Sequence, residues 1–156
     1  MIDSSEIERA AASELATAES NEILSVFRKS LVGGSGGDDE EMFLVKALGI
    51  SFSYDDATCT AEMQVHPWMG NLHGSLHGGV IALGLDTCMG HLLKMRVGPS
   101  ATVETSIRYL RPVTEGRVKF VAEFLKRGKR LQVLQSKMLA ESGEIAAFAT
   151  ASWVRV

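Results

Sequence analysis

Only two cysteines occur in the 156 residues. Cys59 and Cys88 have no Cys-x-x-Cys or Cys/His spacing around them, so neither a disulfide scaffold nor a zinc ribbon is indicated, and both are expected to be reduced, inert thiols. There is no basic surplus either. Sixteen Lys and Arg stand against nineteen Asp and Glu, a net charge of -3, which argues against nucleic acid as a partner. No apolar run approaches the ~20 residues of a membrane span, and the acidic opening MIDSSEIERAAASELATAESNE lacks the basic and apolar regions of a signal peptide. A soluble, cytoplasmic protein with no membrane partner is the expectation. What is present is 46% hydrophobic and 22% charged, enough apolar material for the core of one ordinary domain.

The chain changes character along its length. Residues 5–32 read as an amphipathic helix: Ser5 and Glu8 have capping-box spacing, and Ile7, Ala11, Leu15, Ala18, Leu24, Phe27 and Leu31 recur at three and four. The glycine-rich, acidic run 33–41 reads as a linker; with no Gly-Lys-Ser/Thr after it and no strand before it, it does not read as a phosphate loop. The expected division is therefore 1–41, helix and linker, and 42–156, the folded core. Strands are expected over 47–54 and 58–65, joined by an Asp55-Asp56 turn, because Cys59, Ala61, Met63 and Val65 alternate with polar residues. Residues 79–95 are apolar nearly all round and long enough for a buried helix. Strand character returns at 101–110, 117–127, 130–141 and 144–155, a four-stranded meander. Burying that helix requires a twisted antiparallel sheet curled around it, an α+β architecture.

Chemistry concentrates around the helix. Gly78 and Gly79 open it, and glycines there let another molecule approach the unpaired N–H groups, which the helix dipole makes suited to polarising a carbonyl. They also suit close helix-to-sheet packing. Asp86 is costly on an otherwise apolar helix unless paired or hydrogen-bonded. It is either a structural partner of a base such as Arg108 or a catalytic group facing a cleft. Gly78 and Asp86 are eight positions apart, ~12 Å along one helix, too far to act on one carbonyl and its attacking water. A symmetric dimer with antiparallel central helices would bring Asp86 of one copy to Gly78 of the other.

The string Asn71-x5-His77-Gly78-Gly79-x6-Asp86, followed by Thr102-Val103-Glu104 and Arg108-Tyr109-Leu110-Arg111-Pro112, resembles the hotdog-fold acyl-CoA thioesterases over about residues 42–156. The phenylacetate-degradation and 4-hydroxybenzoyl-CoA thioesterase type is the nearest subgroup. That resemblance implies a hotdog fold, a sheet wrapped around a central helix, and hydrolysis of an acyl- or aryl-CoA thioester. Gly78 N–H would polarise the carbonyl, Asp86 would be general base or nucleophile, Asn71 would orient the carbonyl or the water, and Thr102 would help position the water. His77 would chiefly shape the helix start, in line with local hydrogen bonding there. The resemblance also implies a homodimer, with pairing into a dimer of dimers, and no cofactor beyond the coenzyme A of the substrate.

Further substrate contacts are expected from Gly79, Arg108 and Arg111, and from Lys126, Arg127 and Lys129 in a turn suited either to coenzyme phosphates or to solvent. Met63, Trp68, Met69, Met89 and Leu93 are candidates for the acyl pocket. His73 and His77 have i, i+4 spacing, but the intervening glycines and the lack of a third ligand leave no metal site expected. Two other functions share these residues. A thioester hydratase or dehydratase would need His77 or His91 to face Asp86, and a non-catalytic acyl-CoA-binding protein would bind without turnover.

Overall fold

An α-helix in the middle of a chain rich in β-pattern must find one sheet large enough to cover it, and here six strands do so. The computed structural model describes residues 17, 20–30 and 42–156; the capping-box residues and the linker lie outside these. The described residues divide into two units between Leu48 and Gly49. In the first, residues 20–30 are helical (α1), a short helix α2 follows at Phe43–Ala47, and the Phe27 and Phe43 rings meet edge to face at 5.0 Å. The strand expected from Ala47 is corrected by α2: Gly49, at φ +62°, ends the turn after it in the left-handed conformation that glycine takes readily, and the strand starts at Ser51.

The second unit runs β1 Ser51–Tyr54, β2 Thr58–Gln64, a 3-10 turn Pro67–Met69, α3 Gly78–Arg96, β3 Ser100–Tyr109, β4 Arg117–Arg127, β5 Leu131–Leu139 and β6 Ile145–Arg155. All pairings are antiparallel, in the order β1-β2-β4-β5-β6-β3. The expected hairpin holds: Asp55 accepts from the backbone N–H groups of Ala57 and Thr58 at 2.8 and 2.7 Å. The β2 alternation also holds, with Cys59, Ala61 and Met63 buried.

The last three of the four expected strands do pair consecutively, β4 with β5 and β5 with β6, but the four-stranded meander does not hold. β4 pairs with β2, and β3 pairs only with β6, at the far edge. The helix carries the chain from β2 across the sheet to that edge, and residues 110–116 bring it back. Backbone bonds fasten this return loop to the loop before α3, Leu76 N–H to Val113 O at 2.7 Å and Val65 N–H to Gly116 O at 2.9 Å. Two loops distant in sequence thus wall one end of the helix.

The core lies between α3 and the inner sheet face. Leu85, Cys88, Met89, Leu92 and Leu93 meet Met63, Phe120, Leu134 and Met138, all essentially without solvent contact. Both cysteines are buried and free, and Cys88 Sγ donates to Cys59 O at 3.2 Å. The Cys59 side chain beside it, then burial, push the Cys88 thiol far above the ordinary thiol range. Gly84 sets the approach of helix to sheet, since a Cβ there would stand 2.3 Å from Phe120 Cζ. Gly84→Ala should therefore destabilise: overpacking costs ~1–3 kcal/mol against ~1 kcal/mol gained in helix propensity. Denaturant midpoints would check this, and a stabilised variant would contradict the packing argument.

Candidate active site

The first turn of α3 is built around one histidine. His77 is the N-cap, and its Nδ1 accepts the Gly79 N–H at 2.9 Å. A Cβ on Gly79 would stand 3.0 Å from that nitrogen, so the second glycine lets the ring lie over the helix start. Val80 and Ile81 N–H both donate to His77 O. Gly78 N–H makes no hydrogen bond among the described residues, leaving one donor at the positive end of a 19-residue helix.

Gly78 borders a cavity of about 260 Å³ walled by Leu76, Ile81, Leu110 and Pro112, with Asn71, Ser75, Tyr109 and Arg111 completing the lining. Asn71 holds the loop that forms this wall: its Oδ1 accepts from His73 and Ser75 N–H at 2.8 and 3.3 Å, and its Nδ2 donates to Ser75 Oγ at 3.0 Å. One amide hydrogen remains, since the group has two. Arg111 pairs with Glu144 at 3.3 Å, both exposed.

Asp86 lies further along α3, half-buried. Thr102 Oγ1 donates to its Oδ1 at 3.1 Å. Burial raises the carboxyl above the ordinary aspartate value, while the Thr102 and Thr105 hydroxyls pull it back. A β-bulge in β3 brings both threonines to one side. Thr102 pairs with Trp153 and Thr105 with Ala151, both inward-facing on β6, and the register slips between Thr102 and Glu104. Without that extra residue, positions 102 and 105 would face opposite sides.

The expected site residues thus fall into separate groups on one chain. Asn71, His77, Gly78, Gly79 and Arg111 gather at the start of α3, and Asp86 with Thr102 at its middle. Arg108 belongs to neither, because it pairs with Phe148 in the register that faces away from α3. The ion pair between Arg108 and Asp86 is therefore corrected, and no cation among the described residues bridges Asp86. Lys126, Arg127 and Lys129 are at the β4–β5 tip, level with the start of β3 and so at the opposite end of the sheet from Gly78; Arg127 stacks 4.2 Å over Phe124.

Of the acyl-pocket candidates, Met63, Met69, Met89 and Leu93 are buried in the core and none lines the cavity beside Gly78, while Trp68 is exposed beside His66. Neither histidine faces Asp86: His77 caps Gly79, and His91 bonds Tyr54 Oη at 2.8 Å and stacks on Phe52 at 3.6 Å. Sequence reasoning missed Thr105 and Tyr109. Tyr109 Oη donates to Gly78 O at 3.1 Å. Alternation back from Tyr109 picks out Thr105, but only the bulge adds Thr102 to the same face.

The raised Asp86 carboxyl has a stability consequence. Its charged form is disfavoured in the folded state, so ionisation costs folding free energy at every pH above both the folded and unfolded values, and nothing below both. Asp86→Asn should melt higher than the native protein at neutral pH, with the difference vanishing as pH falls below the ordinary aspartate range. Calorimetric scans across pH would check this; a pH-independent difference would contradict it.

Residues 73–147 match the family model described as the thioesterase superfamily. A protein of Saccharolobus solfataricus, provisionally named an esterase, is 25% identical over 118 residues, covering 74% of this chain and 77% of that one. The solved BH2602 protein of Bacillus halodurans, determined with CoA, superposes with a TM-score of 0.76 at 24% identity, covering 87% and 92% of the two chains. The E. coli PaaI protein of the phenylacetic acid degradation operon gives 0.69 at 24% identity, covering 72% and 83%. No described helix is long and apolar enough to cross a membrane. With the hotdog fold of these solved structures around it, the stretch that carries the helix and most of the site is similar to the thioesterase superfamily.

Proposed function

We propose that the protein hydrolyses an acyl- or aryl-CoA thioester to a carboxylate and free coenzyme A, at sites shared between two copies. The unused Gly78 N–H carries this reading. A helix-start donor beside a mostly apolar cavity suits a thioester carbonyl, whose oxygen gains negative charge as the tetrahedral intermediate forms. Asp86, with no cation among the described residues to quench it, serves as general base toward water or as nucleophile toward the carbonyl carbon. Thr102, hydrogen-bonded to that carboxylate, orients it. On collapse of the intermediate the C–S bond breaks and the sulfur leaves as thiolate, which takes up a proton.

Asp86 and Gly78 of one chain remain ~12 Å apart by helical rise, so the donor and acid at each site come from different copies. β3 is the sheet edge on that side, and Val103 and Tyr109 on it are more than half exposed. Two copies pairing along β3 about a two-fold axis cover this edge and run the two α3 helices antiparallel. The same operation sets the Lys126, Arg127 and Lys129 end of one sheet beside the Gly78 end of the other, on the side where the coenzyme phosphates would lie. The CoA in the Bacillus halodurans relative supports this ligand, and pairing into a dimer of dimers is compatible with it. Nothing in the arrangement of His77 or His91 favours the hydratase reading.

Two variants test the chemistry with benzoyl-CoA and octanoyl-CoA. Asp86→Asn should lower turnover ~10²–10⁴-fold. Gly78→Pro removes the donor alone, since proline suits the first helical position and His77, at φ -63° and ψ 133°, already has the conformation that precedes proline; a loss of ~10²–10³-fold in kcat is expected. Co-refolding the two inactive variants should restore about a quarter of native activity, through hybrid dimers holding one intact site. Binding without turnover by the native protein would favour the non-catalytic alternative, and no recovery on mixing would overturn the shared site.

A further inference from the structure

Two consecutive glycines make a poor mount for a donor that must be aimed, because each leaves its φ and ψ softer than any other residue would. The first turn of α3 nevertheless holds both peptides around Gly78. The His77–Gly78 peptide, whose N–H is the unused one, is fixed at its carbonyl by the N–H groups of Val80 and Ile81 at 2.9 and 3.1 Å. The Gly78–Gly79 peptide is held at both ends, its N–H by His77 Nδ1 at 2.9 Å and its carbonyl by Tyr109 Oη at 3.1 Å. The Tyr109 ring also lies where a Gly78 Cβ would meet it at 3.5 Å, so the ring rests on the glycine as well as bonding to it. Among the described residues Tyr109 is the side chain from outside the helix start that holds either peptide. It reaches inward because its register partner, Ala147, is small and faces the helix.

We infer that Tyr109 is a positioning residue: its hydroxyl and ring fix the Gly78–Gly79 peptide so that the neighbouring Gly78 N–H is held in place for the thioester oxygen. The inference rests on the hydrolase reading above for its catalytic consequence, but not for the structural one. A hydrogen bond to the carbonyl of a peptide also strengthens the donor at its other end, so the Tyr109 and His77 contacts reinforce each other. Without the hydroxyl, the peptide would keep the His77 contact and the helix's own bonding but lose its tie to β3.

Tyr109→Phe isolates the hydroxyl while keeping the ring. The expected result is a fall in kcat of about 3- to 10-fold, the loss of one ordinary hydrogen bond, with KM for benzoyl-CoA and octanoyl-CoA within about twofold because ground-state binding is untouched. Amide exchange measured by NMR should be faster at Gly79 and unchanged at the middle of α3. Unchanged kcat together with unchanged Gly79 exchange would overturn the inference. So would a loss of melting temperature with uniformly faster exchange along α3, which would assign Tyr109 to packing. If the native protein turned over neither thioester, the hydrolase reading would fail, and Gly79 exchange would still decide whether Tyr109 fixes the peptide.

Discussion

A straight α-helix advances ~1.5 Å per residue, and that increment governs the site. The proposed donor and acid ride on one rigid rod, at a spacing that packing against the sheet cannot compress. The strand beside the rod ties down both positions: β3 gives Thr102 to Asp86 and Tyr109 to the Gly78 carbonyl. Any displacement of β3 along its own axis would disturb both groups together. The strand that holds both positions is also an edge of the sheet, so under the proposed pairing the same surface would organise the site and meet the copy that completes it.

How the acid is held matters as much as where it sits. A guanidinium beside Asp86 would stabilise the charged carboxylate and weaken it for the role proposed above. The structure turns Arg108 to the other face and leaves the Thr102 hydroxyl in its place. Hydroxyls orient a carboxylate without neutralising it, and partial burial keeps its proton affinity high. The bulge at Val103 makes this possible, since it lets Thr102 share a face with Thr105 and Tyr109.

Much of this was legible in the sequence because it follows from local pattern. The period-two alternation of β2, the all-round apolarity of α3 and the Asp55 turn need no long-range information. The costliness of Asp86 followed from residue type and position alone, while the helix-start role of His77 came with the resemblance and agreed with local bonding. Other features depended on neighbours that no local pattern specifies. Strand order was the first: a meander is the simplest reading of four successive strands, yet α3 delivers β3 to the far edge and opens a place for β2 beside β4. Side-chain direction was the second, because one bulge shifts the alternation of β3 and a resemblance quotes Arg108 and Tyr109 without saying which faces the helix. Apolar type was the third, since Met63, Met89 and Leu93 suit a core as well as a pocket.

The burial of the two thiols bears on how such a protein lives with its own product. Coenzyme A, the product under the proposed hydrolysis, carries a sulfhydryl that attacks accessible disulfides and, once oxidised, captures accessible cysteines by exchange. Cys59 and Cys88 are closed off inside the molecule, and the Cys88 proton is held tightly, so neither is accessible to exchange. Under the proposed hydrolysis, the folded protein would therefore turn over in a solution enriched in the leaving group without being capped by it, and a chromogenic disulfide added to follow that reaction would report the liberated coenzyme rather than the protein.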